Sequence, residues 1–410
     1  MSQFDETSHF PASASLGRSV LSPSVRLLKR LLNQVRYGRL TLVLPSGQSV
    51  VAQGAQPGPE AKIIIKSWRC LRRLLAGGDI GFAQAYIEGD WTSPDLTSVI
   101  RFAARNRDTL LSTFRGSPLM RLVHRVGHLL NANTRRGSRK NIEAHYDLGN
   151  GFYSQWLDPS MLYSSAIFKE TTDSLEAAQE YKLKCIAQKL SLQGGEKILE
   201  IGCGWGALAT YLADYGDAHV TGITLSPSQL AWGKNVVQKA GHNDAVDLRL
   251  QDYRDVKGQF DRIVSIEMFE AVGEAYWPEY FATLKHCLKP GGKAVLQIIS
   301  IEDARYENYR RKADFIQKFI FPGGFLPSDK VLERDLAKAG LVLKEINHFG
   351  HSYALTLAEW RQRFNANWPE IEKLGFDDRF RRLWEYYLCY CEGGFEEGAI
   401  NVGLYTIEHA

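Results

Sequence analysis

The stretch from Lys197 to Ala209 limits the fold more than any other part of the chain. Lys197-Ile198-Leu199-Glu200-Ile201 has the apolar character of a short buried strand, Gly202-Cys203-Gly204-Trp205-Gly206 reads as a turn, and Ala207-Leu208-Ala209 opens a helix. Strand, glycine-rich turn and helix in this order form the first unit of an open α/β sheet, because glycine lets the backbone turn sharply and come close to a ligand. The alternation continues downstream. His219–Thr224, Val246–Leu250, Phe260–Ile266 and Lys293–Ile299 read as further strands, with helical patterns between most of them. Residues 142–410 are therefore expected to form an α/β domain with a doubly wound, mostly parallel sheet. The turn's spacing is Gly-x-Gly-x-Gly, not the Gly-x-Gly-x-x-Gly of dinucleotide sites, and no lysine stands ready to cradle a pyrophosphate. The acid ahead of it, Glu200, suits a cationic or hydroxyl-rich ligand better than a phosphate.

The front of the chain differs in kind. Residues 1–22 are Ser-rich and polar and are expected to be disordered. Residues 23–130 read as a smaller α+β unit and 131–141 as a linker. Strands are expected at Leu40–Leu44 and Ala61–Lys66, and helices at Ser67–Leu75 and Asp95–Arg105. Gly81–Trp91 reads as a glycine-bounded amphipathic turn of chain. The net charge of +4 hides an asymmetry. Residues 1–140 hold 21 Lys+Arg against 8 Asp+Glu, a net of +13, and residues 141–410 hold 29 against 38, a net of −9. A basic front seeks a polyanion. Arg115–Lys140 carries seven Arg/Lys and no acid, with Leu119, Met120, Leu122, Val123, Val126, Leu129 and Leu130 at roughly helical spacing. That is the pattern of a helix lying on lipid headgroups, and Val25–Leu32 has the same character. With no RNA- or zinc-type motif, an anionic membrane surface is expected as partner and nucleic acid is not.

The six cysteines form no CxxC pair, and no Cys/His cluster has zinc-ligand spacing, so reduced thiols and no metal are expected. No apolar run is long enough to span a bilayer, and no secretory signal is visible. The expected location is cytoplasmic, peripheral on the inner face of the cytoplasmic membrane.

The Glu200–Ala209 spacing resembles the first motif of Rossmann-like S-adenosylmethionine methyltransferases. NIEAHYDLGNGFYSQWLDPSMLYSSAIFK (141–169), EIGCGWGALA (200–209), GITLSPSQL (222–230), FDRIVSIEMFEAVG (260–273) and KFIFPGGFLPS (318–328) resemble the cyclopropane fatty acid synthase and mycolic acid methyltransferase family. The basic front, including GFAQAYIEGDW, is similar to the N-terminal domain of the bacterial cyclopropane-forming branch. The resemblance covers about residues 25–408.

What the resemblance implies is a class I methyltransferase domain behind a lipid-docking domain, with S-adenosylmethionine as cofactor. Tyr163 and Ser164 would lie over its methionine part. Glu200, Gly202, Gly204 and Gly206 would line its pocket. Thr224, Ser226 and Gln229 would reach the ribose and carboxylate side, and Asp252 and Tyr253 would flank the adenine. The substrate would be a cis double bond in an unsaturated acyl chain of a membrane phospholipid, and the default product a cyclopropane. A homodimer is a further expectation. In the family a bicarbonate ion acts as base, held by a Cys, a Glu, a His, an Ile backbone and a Tyr. Glu270, Ile299 and Tyr353 match three of these. The Cys is Ser165 here and the His is Gln297. Cys391 aligns with a candidate active-site cysteine. Since glutamine cannot titrate, deprotonation is expected to be altered, with methyl or methylene branching as the alternative to ring closure. A lipid-binding protein without catalysis is disfavoured by the retained glycine turn and Glu270.

Overall fold

The structure, a computed structural model, describes residues 32–107, 109 and 148–410. The expectations for residues 1–22, for the basic amphipathic stretch Arg115–Lys140, for the linker 131–141 and for nearly all of Val25–Leu32 fall outside the described residues.

The front unit is a four-stranded sheet in the order β2-β1-β3-β4, from Tyr37–Val43 (β1), Ser49–Gln53 (β2), Gln56–Ile65 (β3) and Trp91–Thr92 (β4). β3 alternates as its sequence demands: Ala61, Ile63 and Ile65 are buried, while Lys62 and Lys66 are exposed. Helix α1 (Arg69–Ile87) and helix α2 (Leu96–Arg105) cover the buried face. Asp95 caps α2 by accepting from the Ser98 amide at 3.0 Å.

Gly81–Ile87 is therefore helix, a correction to the turn expected there. The helix breaks at Gly78, whose φ is 59°, and it resumes with Ile80, Ala83, Tyr86 and Ile87 buried. The glycines hid that period. Gly81 is required for contact: a Cβ there would lie 1.9 Å from the Arg73 carbonyl oxygen.

The rear unit carries a seven-stranded sheet in the order β10-β11-β9-β8-β5-β6-β7. Its strands are Lys197–Ile201 (β5), His219–Thr224 (β6), Val246–Leu250 (β7), Phe260–Ile266 (β8), Leu288–Ile301 (β9), Leu341–His348 (β10) and Ile400–His409 (β11). β5 to β9 are parallel, as expected, and β9 runs further than the sequence pattern showed. β10 and β11 form an antiparallel edge that periodicity did not reveal. The chain order reverses between β5 and β8, so a crevice opens at the carboxyl ends of these strands, where ligands bind in such sheets. Helices α3 (Leu175–Leu190), α4 (Ala207–Gly216), α5 (Pro227–Ala240) and α6 (Trp277–Cys287) cover the sheet. Two long helices, α7 (Gly350–Ala366) and α8 (Asp378–Glu396), pack on one another beside the crevice. Among the described residues no helix is long and apolar enough to cross a membrane.

Front and rear share one core. A continuous buried cluster runs from Ile65, Trp91, Val99 and Phe102 through Phe152 and Trp156 to Trp360, Trp384 and Tyr387. Tyr86 donates to Glu385 at 2.8 Å, Arg382 donates to the Ile87 carbonyl at 2.7 Å, and Arg101 pairs with Glu397 at 3.0 Å. At the crossing of α2 and α8, a Cβ on Gly393 would lie 2.8 Å from Ile100 Cγ2 and 3.3 Å from the Arg101 amide. Gly393→Val should therefore push the helices apart and lower the unfolding free energy by about 1–3 kcal/mol. Chemical denaturation checks this, and an unchanged midpoint would count against the shared core.

Candidate functional site

The site is built where β5, β8 and β9 end. After β5 the three turn glycines take left-handed φ values of 87°, 51° and 89°. Two are fixed by packing: a Cβ on Gly202 would sit 3.0 Å from Met268 Cγ, and one on Gly206 3.2 Å from Gly233 Cα. A Cβ on Gly204 would meet nothing within 4 Å, so the turn is open there to an approaching ligand. Glu200, 2% exposed, ends β5 with an Oε2 that has no hydrogen-bond partner. Burial alone pushes its carboxyl up to about 8. An open glycine turn over an unpartnered buried carboxyl fits a cationic ligand.

The remaining expected cofactor residues fall into three groups. Tyr163 shares a hydrogen bond with Tyr387, hydroxyl to hydroxyl, at 2.9 Å. Its ring packs 5.4 Å from both Trp156 and Trp360. Ser164 is buried and accepts from Lys182 Nζ at 2.8 Å. Thr224, Ser226 and Gln229 lock the turn between β6 and α5. Thr224 Oγ1 donates to Gln229 Oε1 at 2.9 Å, and Ser226 Oγ caps the Gln229 amide at 3.3 Å. The Asp252 carboxylate is clamped by the Arg254 guanidinium at 2.6 Å and 2.8 Å, while the Tyr253 ring stands edge-on to Tyr280.

Ser165, Gln297 and Tyr353 converge on a residue not expected from the sequence, Glu267, while Glu270 and Ile299 pair with one another beside it. Glu267 follows β8 and accepts from Tyr353 Oη at 2.6 Å, Gln297 Nε2 at 2.7 Å and the Ser165 amide at 2.8 Å. Ser165 contributes that amide and not its hydroxyl, which donates to the Ala166 carbonyl. The Ile299 amide donates to Glu270 Oε1 at 2.5 Å, and Glu270 Oε2 is shielded from solvent without a partner. The donors expected to hold bicarbonate are thus occupied by two protein carboxylates. Tyr353, Gln297 and the Ser165 amide are spent on Glu267 and the Ile299 amide on Glu270, so a further anion would displace a carboxylate already seated there.

Burial raises Glu267 above the usual carboxylate range, and its three donors and the nearby Lys182 ammonium oppose the rise. Burial, with Glu267 alongside, pushes Glu270 up to about 8. Lys182, fully buried on α3, is pushed down to about 8 by burial, against the pull of Glu267 and Asp158. Burial also raises the Cys391 thiol well above its ordinary value, so it is a poor nucleophile near neutral pH. Glu267 has φ 49°, a left-handed conformation that costs a non-glycine residue about 1–2 kcal/mol. Its position at the carboxyl end of the fourth parallel strand is a signal the sequence did carry. Nothing in the sequence marked Lys182, which lies on an ordinary amphipathic helix.

A strand–glycine turn–helix with an acid beneath it, on a sheet of this topology, defines a Rossmann-like S-adenosylmethionine-dependent methyltransferase. The family described as mycolic acid cyclopropane synthetase matches residues 133–404. The chain belongs to that family and is an enzyme, an S-adenosylmethionine-dependent methyltransferase acting on lipids. It is 34% identical to the tuberculostearic acid methyltransferase UfaA1 of Mycobacterium tuberculosis, over 98% of this chain and 96% of that protein. It is 36% identical to the cyclopropane-fatty-acyl-phospholipid synthase of Escherichia coli K12, over 89% and 91%. The solved mycolic acid cyclopropane synthase CmaA1, complexed with SAH and CTAB, superposes with a TM-score of 0.62 at 30% identity, covering 66% of this chain and 97% of that one.

The raised Glu270 has a consequence for the cofactor-free protein. Between its ordinary value of 4.5 and about 8 the folded chain holds a proton that the unfolded chain has released. Stability therefore falls as pH rises through that window. Glu270→Gln keeps an acceptor for the Ile299 amide and removes this contribution. The loss of unfolding free energy between pH 5 and pH 8 should shrink in the variant, and equal losses in both proteins would refute the assignment.

Proposed function

We propose that the enzyme methylates the double bond of an unsaturated fatty acyl chain carried by a membrane phospholipid. The observation that carries this reading is an aromatic wall set against buried carboxylates beside the cofactor turn. An amine or hydroxyl acceptor brings its own lone pair. An alkene brings only its π pair, and alkylation leaves a cation on the chain. The rings of Tyr163, Trp360 and Tyr387 and the charge of Glu267 stabilise such a cation. When bound, S-adenosylmethionine supplies an electrophilic methyl group. Glu200 sets a negative group under the turn that receives it, and the buried aromatic shell keeps water from the cation.

Ring closure is the default for this chemistry and is supported by the Escherichia coli relative. An open-chain product, methyl- or methylene-branched, is favoured here by two observations. Neither Ser165 nor Gln297 is a titrating side chain like the Cys and His in their places. The relative matched over nearly the whole chain is named a tuberculostearic acid methyltransferase. Sphingolipid C9-methyltransferase A of Emericella nidulans, 34% identical over 63% of this chain and 51% of that protein, makes sphingolipids the competing substrate class. Incubation with cofactor and a defined monounsaturated phospholipid, followed by NMR of the released fatty acids, decides both points. Vinylic or branched-methyl signals are expected. Cyclopropane signals would overturn the open-chain reading, and no added carbon would overturn the substrate.

We place the enzyme on the inner face of the cytoplasmic membrane, docked by its basic front. Arg36, Arg39, Lys62, Lys66, Arg69 and Arg72 are exposed on that unit. Vesicles containing anionic lipid should bind the protein more tightly than neutral vesicles, and the difference should fade with added salt. Equal binding in a sedimentation assay would sink the electrostatic docking.

A further inference from the structure

We infer that the Glu267 carboxylate is the proton acceptor of the reaction, a base built into the chain in the seat where a separately bound anion would otherwise be held. This rests on the reading of the reaction as methyl transfer to an alkene.

The first support is the donor set. Tyr353 Oη, Gln297 Nε2 and the Ser165 amide all point at one carboxylate, at 2.6–2.8 Å. These are groups that would hold a mobile anion. The donor that remains, the Ile299 amide, is taken by Glu270. The second is position. Glu267 adjoins Met268, whose side chain packs against Gly202, so the carboxylate is one residue from the wall of the cofactor turn. The third is backbone. A left-handed φ of 49° is natural for glycine and strained for glutamate. The strained residue is the one whose side chain fills the anion seat. The fourth is charge. The buried Lys182 ammonium favours the ionised carboxylate, while burial makes that carboxylate more basic than one in water.

The step balances. The alkene π pair forms the new carbon–carbon bond as the carbon–sulfur bond breaks, and that bond's pair stays on sulfur. The positive charge moves to the neighbouring chain carbon. A C–H proton then passes to Glu267, and the C–H pair either closes the ring or becomes a new double bond. Glu267 ends neutral and releases one proton to solvent for each methyl transferred. Tyr353, Gln297 and Ser165 are positioning residues for this carboxylate.

The test uses the full-length enzyme and three readouts. Wild type should turn over equally well in carbonate-free buffer and with added bicarbonate, and ¹³C-bicarbonate NMR should show no binding to it. Glu267→Gln should lose about 100-fold or more in kcat, with cofactor affinity by calorimetry unchanged. Glu267→Gly suits the backbone and opens the seat. It should fold, bind ¹³C-bicarbonate and regain activity as bicarbonate or formate is added. Bicarbonate binding to wild type, a bicarbonate requirement for its turnover, or wild-type kcat in Glu267→Gln would overturn the inference. The NMR measurement needs no lipid. If wild type methylates no phospholipid, the proposed substrate fails, and the bicarbonate titration still shows whether Glu267 or a free ion owns the seat.

Discussion

Removing carboxylates from water is the constraint around which this site is organised. Glu200, Glu267 and Glu270 are buried near the ends of β5 and β8, and the fully buried Lys182 ammonium pulls on Glu267. Burial without full compensation is costly, and the three residues meet the cost in different ways. Glu267 is stabilised by three donors and a cation. Glu270 has one backbone donor and leaves an oxygen unpartnered. Glu200 has no compensating group that lowers it. A cationic cofactor over the glycine turn would relieve Glu200, and its binding would then be coupled to proton release wherever that carboxyl is still protonated.

The sheet that presents these groups was legible because parallel strands buried on both faces leave continuous apolar runs. β5, β6 and β8 were found at their observed bounds for that reason, and the edge strand β7 by its alternation, with Val246 and Leu248 buried and Asp247 and Arg249 exposed. The antiparallel edge was not, since Leu341–His348 mixes apolar with exposed polar residues and Ile400–His409 breaks its apolar run with Asn401, Gly403, Thr406 and Glu408. Gly81–Ile87 misled in the opposite direction, with glycines needed for close contact read as punctuation.

At the site, the residues known by resemblance came together, but the resemblance named partners for an ion and not what fills its place. Glu267 sits inside the FDRIVSIEMFEAVG stretch, three residues before Glu270, the acid that matches the family's. Only the backbone shows why the two differ. Glu267 is turned inward by its left-handed conformation toward Tyr353 and Gln297, whereas Glu270 lies on the following short 3-10 turn and faces the Ile299 amide. Lys182 had no sequence signature because its helix spacing is that of any amphipathic helix. Its role depends on what lies across from it.

The shared core bears on how the front unit and the chemical site are joined. α8 carries Glu385 toward the front unit and Tyr387 toward Tyr163 at the site, and its C-cap Glu397 pairs with Arg101. α7 carries Tyr353 to Glu267 and Arg361 to Glu392 of α8, at 2.9 Å and 3.1 Å. A displacement of the front unit is therefore resisted by the same two helices that hold the Tyr353 hydroxyl on Glu267. Packed cores transmit such strain because they are dense and nearly incompressible. A tether of this stiffness would keep the aromatic wall and the carboxylate in register under the membrane docking proposed above. A flexible linker between two independent globules would not.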